Sequence, residues 1–324
     1  MKKFYLLFTA LFCSLICHAQ QEAQYSQYVF NSLVINPAYA GYKETLNVSM
    51  LNRDQWTGLD GSPKTQSLIV DGAFFDNRVG LGLSVINDKI GLQHQSSAFV
   101  NYSYRLPVGN DDSRLALGLA AGVSQYTLNA NDAVIDDISD PNFAGKSTYF
   151  APDAKLGVFY SSEKFFAGAS ITNLLANAID YRNSGQGAIY KQGRHYFLSA
   201  GALLDINPSI KFKPSFLIKE DTKSPTNMDL NFFFLIKEAV WLGASYRTNV
   251  NLWKKPGLNT TAFNQNSLVG AVELFFARNI RVGYAYDYAL SALGDYSNGT
   301  HEISLGFILN ANRKSTALLT PRYF

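Results

Sequence analysis

The chain has 324 residues with 28 basic and 25 acidic side chains, a formal net charge of +3, 47% hydrophobic residues, 14% aromatic residues, 24 glycines and two cysteines. That balance excludes a disordered tail, a collagen and a disulfide scaffold, and so even a charge gives no electrostatic footing for nucleic acid. A helical membrane protein is excluded too, because past residue 19 no apolar run approaches the roughly 18 residues of a spanning helix.

In chain order, residues 1–19 read as a cleavable export signal. Lys2 and Lys3 give a positive start, and Phe4 to Ile16 is mostly apolar. Cys17-His18-Ala19 then offers small residues at minus three and minus one, with cleavage before Gln20. A lipoprotein signal is the weaker reading, since Phe12 and Ile16 stand before Cys13 and Cys17, where a small residue belongs. From Gln20 onward the chain holds no cysteine, so disulfides cannot staple it and its core or its membrane must.

Residues 20–44 carry Tyr25, Tyr28, Phe30 and Tyr39, with Asn36-Pro37 setting a turn. Two readings stand for this segment: a plug folded into the periplasmic mouth or lumen of a downstream barrel, or an anchored N-terminal arm.

From about residue 45 the periodicity becomes two. In Ile280 to Tyr288, Ile280, Val282, Tyr284, Tyr286 and Tyr288 share one face, while Arg281, Gly283, Ala285 and Asp287 share the other. The same alternation runs through Ile210 to Lys219 and Met228 to Lys237. About fourteen such segments are predicted, near 45–54, 65–75, 79–87, 96–105, 114–127, 153–161, 165–173, 194–205, 210–219, 227–237, 239–248, 265–277, 280–290 and 300–310. Most are about ten residues long, the reach that crosses a bilayer at a barrel tilt.

Connections after even-numbered strands are mostly tight, and those after odd-numbered strands run longer, notably 128–152, 174–193, 249–264 and 291–299. Outer-membrane barrels alternate short periplasmic turns with long outer loops in this way, although the turns near 106–113 and 220–226 are of similar size. The prediction is an all-β fold: one transmembrane antiparallel β-barrel of about 14 strands over 45–310. A tail at 311–324 ends in Phe324, and the even strand count puts both termini on the periplasmic side. A soluble sandwich or propeller fits less well, because the charged positions form the inward face and tyrosines gather near strand ends as interfacial girdles do.

The mature N-terminus carries Gln24-Tyr25-Ser26-Gln27-Tyr28, then Asn36-Pro37-Ala38-Tyr39-Ala40-Gly41, Arg53-Asp54-Gln55-Trp56 and Gly61-Ser62-Pro63-Lys64-Thr65. With Lys155-Leu156-Gly157-Val158-Phe159-Tyr160, Trp241-Leu242-Gly243-Ala244-Ser245-Tyr246-Arg247 and the closing Pro321-Arg322-Tyr323-Phe324, the chain resembles the PorP/SprF outer-membrane proteins of Bacteroidota. The resemblance spans essentially the whole mature chain. It implies a non-enzymatic barrel of type IX secretion or gliding motility. Its partners would be machinery proteins on the periplasmic side, a secreted surface adhesin on the outer side, and outer-membrane lipid.

Two groups of residues are candidates for function. Gln24, Tyr25, Gln27, Tyr28, Asn36, Pro37, Tyr39 and Gly41 would serve the plug or a partner. Arg53 and Trp56, beside Gln55, would form a docking rim, or more simply an interfacial tryptophan with a snorkelling arginine. The lumen charges Lys211, Lys213, Lys219, Lys237, Arg247 and Arg281 stand against Asp229, Glu273, Asp287 and Glu302. Such mixed signs suit internal ion pairs better than a selective pore.

Catalysis and cofactors have poor support. His94, His195 and His301 form no two-histidine helix motif, and Asp132, Asp136, Asp137 and Asp140 lack calcium-loop spacing. The expected function is therefore an accessory and anchoring barrel with no cofactor. The runner-up is a FadL-like channel for small or hydrophobic solutes.

Overall fold

The computed structural model describes residues 23–109, 113–129, 145–175, 193–221, 224–253, 255, 266–276 and 279–309. Fourteen antiparallel strands close into one barrel. They are β1 (Leu46–Asp54), β2 (Lys64–Phe74), β3 (Val79–Ile90), β4 (Gln93–Pro107), β5 (Arg114–Asn129), β6 (Lys146–Ser161) and β7 (Phe165–Thr172). Next come β8 in two segments (His195–Ala202 and Leu204–Asn207), β9 (Ile210–Glu220), β10 (Thr226–Ile236), β11 (Val240–Val250), β12 (Ser267–Phe276), β13 (Ile280–Ala289) and β14 (Thr300–Leu309). Each strand pairs with its sequence neighbour, and β14 closes on β1 from Leu46 opposite Leu309 to Asp54 opposite His301. Both segments of β8 pair with β9, so the break at Leu203 is an irregularity within one strand. Among the described residues no helix is long and apolar enough to cross a membrane.

Alternation along each strand sorts the side chains. Outward positions carry Met50, Leu68, Leu83, Val100, Leu117, Leu198, Phe232, Leu242, Leu268 and Ile303, all exposed. An unburied apolar belt around a closed barrel is the surface that a bilayer's hydrocarbon covers. Tyr102, Tyr104, Tyr160, Phe165, Tyr246 and Tyr284 are outward and exposed as well. Phe324 and the tail 311–324 lie outside the described residues, as do Asp132, Asp136, Asp137 and Asp140.

Two expectations about boundaries need correction. β6 begins at Lys146 and not near 153, pairing with β5 as far as Asn129 opposite Lys146. The ladder continues because Tyr126 stacks on Tyr149 with ring centroids 5.0 Å apart and Thr127 bonds Thr148 at 3.1 Å. Pro152 reads as a breaker but sits outward in β6, opposite Val123. Likewise β3 and β4 are longer than predicted and meet through Gly91-Leu92. Gly91 has φ +54°, a left-handed conformation that a glycine adopts without strain. That tight turn lies at the end where most connections are long.

Residues 23–44 sit inside the barrel. They form three single 3-10 turns, Gln27–Val29, Ser32–Val34 and Pro37–Tyr39. Two of the turns have a local cause: the Asn31 side chain accepts the Leu33 amide at 3.2 Å, and Asn36 accepts the Ala38 amide at 2.9 Å. Asparagine in extended backbone is a favoured cap, and Pro37 fits the first helical position. Tyr25, Tyr28, Val29, Phe30, Leu33, Val34, Ile35, Ala38, Tyr39, Ala40 and Tyr42 are all buried, and with Trp241, Phe233, Leu217 and Phe159 they make the core.

Candidate functional site

The interior is built from the arm at 23–44 and the inward face of the strands. The arm runs down the lumen from the long-loop end to the short-turn end, where the chain reverses into β1. Near the long loops, Ser26 and Gln27 donate their backbone amides to the two carboxylate oxygens of Glu302, at 2.9 and 2.7 Å. Arg53 joins this group, bonding Glu302 at 2.9 Å, Asp287 at 3.3 Å and the Ser26 hydroxyl at 2.7 Å. Arg247 extends it, meeting Asp287 at 3.0 Å and Asp229 at 3.0 Å, and Lys219 reaches Asp229 at 2.9 Å. Three cations thus balance three anions in one buried chain. Such a network survives burial only because its members satisfy one another, and removing one member leaves an uncompensated charge.

Midway down, the Asn231 amide donates to the Tyr28 hydroxyl at 2.8 Å, and Phe30 meets Phe233 edge to face at 5.4 Å. Lys213 donates to the Val29 carbonyl at 2.9 Å, its ammonium 5.5 Å from the Phe166 ring and 5.8 Å from that of Trp241. Lys43 in the arm donates to the Phe30 carbonyl at 2.9 Å.

Toward the short turns the arm lies flat on the wall. Asn36 donates to the Val158 carbonyl at 3.0 Å, Ser170 donates to the Ile35 carbonyl at 2.6 Å, and Ser103 donates to the Ala40 carbonyl at 2.7 Å. Gly41 donates its amide to Asp71 at 3.0 Å and accepts from Arg105 at 2.8 Å. Glu44 pairs with Arg105 at 3.2 Å and Arg114 at 3.5 Å. This close approach depends on inward glycines. A methyl at Gly80 would overlap the Ala40 carbonyl, one at Gly118 the Ala38 backbone, one at Gly157 the Asn36 side chain, and one at Gly283 the Gln27 side chain.

The predicted candidates therefore divide. Tyr25, Gln27, Tyr28, Asn36, Pro37, Tyr39 and Gly41 converge on the lumen wall, while Gln24 is half-buried at the start of the arm. Arg53 is neither a docking rim nor a snorkelling residue: it is 1% exposed and points inward. Its neighbour Trp56 is half-buried in the first connection, its amide on the Thr300 hydroxyl at 3.1 Å. Lys213, Asp229, Arg247, Asp287 and Glu302 all face the lumen in the contacts given above, and Arg281 pairs with Glu273 at 3.6 Å.

Other positions differ from the prediction. Lys211 sits apart, 2.6 Å from the exposed Asp205 at the short-turn end. Lys237 is in the turn between β10 and β11 with φ +49°, exposed and outside the lumen. The expectation was the periplasmic mouth or the lumen; the described arm lies in the lumen and begins toward the long-loop end. Sequence reasoning missed Lys43, Glu44, Asp71, Arg105, Asn231, Ser103 and Ser170. The recurrence of Gly, Ser and Ala at inward positions near the short turns was the available signal for a wall that another segment lies against.

The space left over is small. A cavity of about 40 Å³ separates the arm from β1, β2 and the β12–β14 wall, lined by Gln27, Phe30, Ile69, Glu273 and Arg281. His195 bonds Asn173 at 3.2 Å, and His301 lies on the outer face, 2.8 Å from the Tyr284 hydroxyl. Among the described residues no group of three or more His, Cys, Asp or Glu side chains could hold a metal ion.

A closed fourteen-strand barrel with an apolar outer belt defines an outer-membrane β-barrel protein. A family model described as type IX secretion system membrane protein PorP/SprF matches residues 17–307, and the chain belongs to that family, as an outer-membrane component of type IX secretion. Nothing matches among curated proteins. Among solved structures the chain is similar to the CymD monoaromatic hydrocarbon channel, at 12% identity and TM-score 0.51 over 88% of this chain and 93% of that one. It is also similar to the outer membrane protein Omp33 of Acinetobacter baumannii, at 10% identity and TM-score 0.45 over 82% of this chain and 98% of that one. At such identity the first likeness speaks for the fold alone.

Proposed function

We propose that this protein is a non-enzymatic, fixed outer-membrane site that assists export or surface anchoring of a secreted adhesin within the type IX secretion and gliding machinery. The observation that carries this reading is the filled lumen. A transport pore needs a continuous wet path, whereas here the arm's aromatic core and a neutral, mutually paired charge network occupy the interior. The barrel's role is then positional. Short turns face the periplasm and meet machinery components, and long loops face outward and hold the cargo. The arm acts as a plug that keeps the membrane sealed while cargo passes or docks elsewhere.

The test is to purify the tagged protein from detergent-solubilised outer membranes and identify what accompanies it. A large secreted adhesin or periplasmic machinery in near-stoichiometric amount supports the reading. A bare barrel that lets small solutes into liposomes overturns it in favour of a channel.

A further inference from the structure

The direction of the arm decides which side of the membrane its free end meets. Ser26 and Gln27 are held by Glu302, the third residue of β14, and by Arg53, the last but one of β1, both close to the long loops. Gly41 lies against Gly72 and Gly80, at the short-turn ends of β2 and β3. Ahead of Tyr25, half-buried Ala23 helps line a small cavity of about 40 Å³. Ile86 and Asp88 late in β3, Phe99 near the middle of β4, Lys155 in β6 and Phe197 early in β8 also line it. Residues 25–43 occupy the path back to the other end.

We infer that the N-terminal end of the arm opens to the long-loop mouth of the barrel. The inference rests on the orientation proposed for the barrel, long loops outward. It adds that the end of the arm at Ala23 shares that side.

Both cysteines lie in residues 1–19, so the rest of the chain suits cysteine mapping. A Gly-Gly-Cys-Gly-Gly segment is inserted between Glu22 and Ala23, and intact cells are treated with a membrane-impermeant maleimide. Asp60→Cys in the first long connection and Glu163→Cys in a short turn serve as references, both residues being exposed. The expected result is that the inserted cysteine and Asp60→Cys react on intact cells, while Glu163→Cys reacts only after permeabilisation. An inserted cysteine that reacts only after permeabilisation, or only after denaturation, overturns the inference while leaving the orientation intact. Reversed behaviour of the two references overturns the orientation and the inference together. Retained heat-modifiable gel mobility shows that each variant is a folded barrel.

Discussion

Glu302 accepts the backbone amide of Gln27 at 2.7 Å, across 275 residues of sequence. The same carboxylate holds the Ser26 amide at 2.9 Å and the Arg53 guanidinium at 2.9 Å, so one buried acid ties the arm, β1 and β14 together. Strand closure brings the three elements near one another, and the Glu302 carboxylate fixes the arm's height in the lumen.

Glu302→Ala should therefore release the arm without opening the barrel. It removes the acceptor of two backbone amides and leaves Arg53 short of a counter-charge. Breaking a buried pair in this way costs about 3–5 kcal/mol. Hydrogen exchange over residues 25–30 should then be faster than in the parent protein, which protects that stretch by burial. Strand content by circular dichroism should stay unchanged. Equal exchange over residues 25–30 in variant and parent would show that Glu302 does not anchor the arm.

The glycine wall makes an independent prediction. Gly118→Val puts a side chain where the Ala38 backbone lies, and Gly80→Val does the same at the Ala40 carbonyl. Overpacking of a filled interior costs about 1–3 kcal/mol even when the surroundings can adjust, and here the obstacle is backbone. Both variants should expose Lys43 to trypsin. Gly270→Val, at an exposed position where an added Cβ meets nothing within 4 Å, should behave like the parent. If all three variants protect the arm equally, the close seating is not a real constraint.

How much of this was legible beforehand depends on what carries each feature. The fourteen strands were readable because a bilayer outside and a polar interior impose a strict period of two on every crossing. β1 shows the limit. Its alternation puts Asn47, Ser49, Leu51 and Arg53 on the inward face, yet Arg53 beside Trp56 also fits an interfacial pair. Only the closure of β14 on β1, with Arg53 opposite Glu302, decides between them. The arm was harder still. Three single 3-10 turns have no period to detect, and the partners of Tyr28, Asn36 and Gly41 lie 203, 122 and 30 residues away. Aromatic density before the first strand hinted at a buried segment but gave neither its direction nor its seat. β6 began early for a third reason, since an outward Pro152 interrupts the sequence pattern without ending the ladder.

Removal of residues 23–43 should convert the protein into a conductor. The arm supplies eleven of the buried hydrophobic residues in the core cluster, Tyr25 through Tyr42, and a fourteen-strand barrel is wider than the eight-strand size that wall side chains alone can fill. In planar bilayers the deletion variant should give stable unitary conductance steps, and the parent protein should give none at the same voltage. A synthetic peptide of residues 23–43, added to the variant, should reduce the steps. A parent protein that already conducts as well as the variant would remove the plug from the proposed function.

Asn36 offers the most local test, because its side chain makes both the turn and the seat. It accepts the Ala38 amide at 2.9 Å, which shapes the turn at Pro37, and donates to the Val158 carbonyl at 3.0 Å, which fixes that turn to β6. Asn36→Ala loses both at a buried position, where an unsatisfied group costs about 1–3 kcal/mol. Asn36→Asp keeps the acceptor for Ala38 but loses the donor and sets a negative charge against the Val158 carbonyl. It should loosen the lower arm more than alanine does. Hydrogen exchange read by mass spectrometry should show faster exchange over residues 35–42 in both variants, largest in Asn36→Asp, with residues 26–28 still protected through Glu302. Uniform loss of protection along the whole arm would mean that the arm docks as one cooperative unit and that its two ends are not independent anchors.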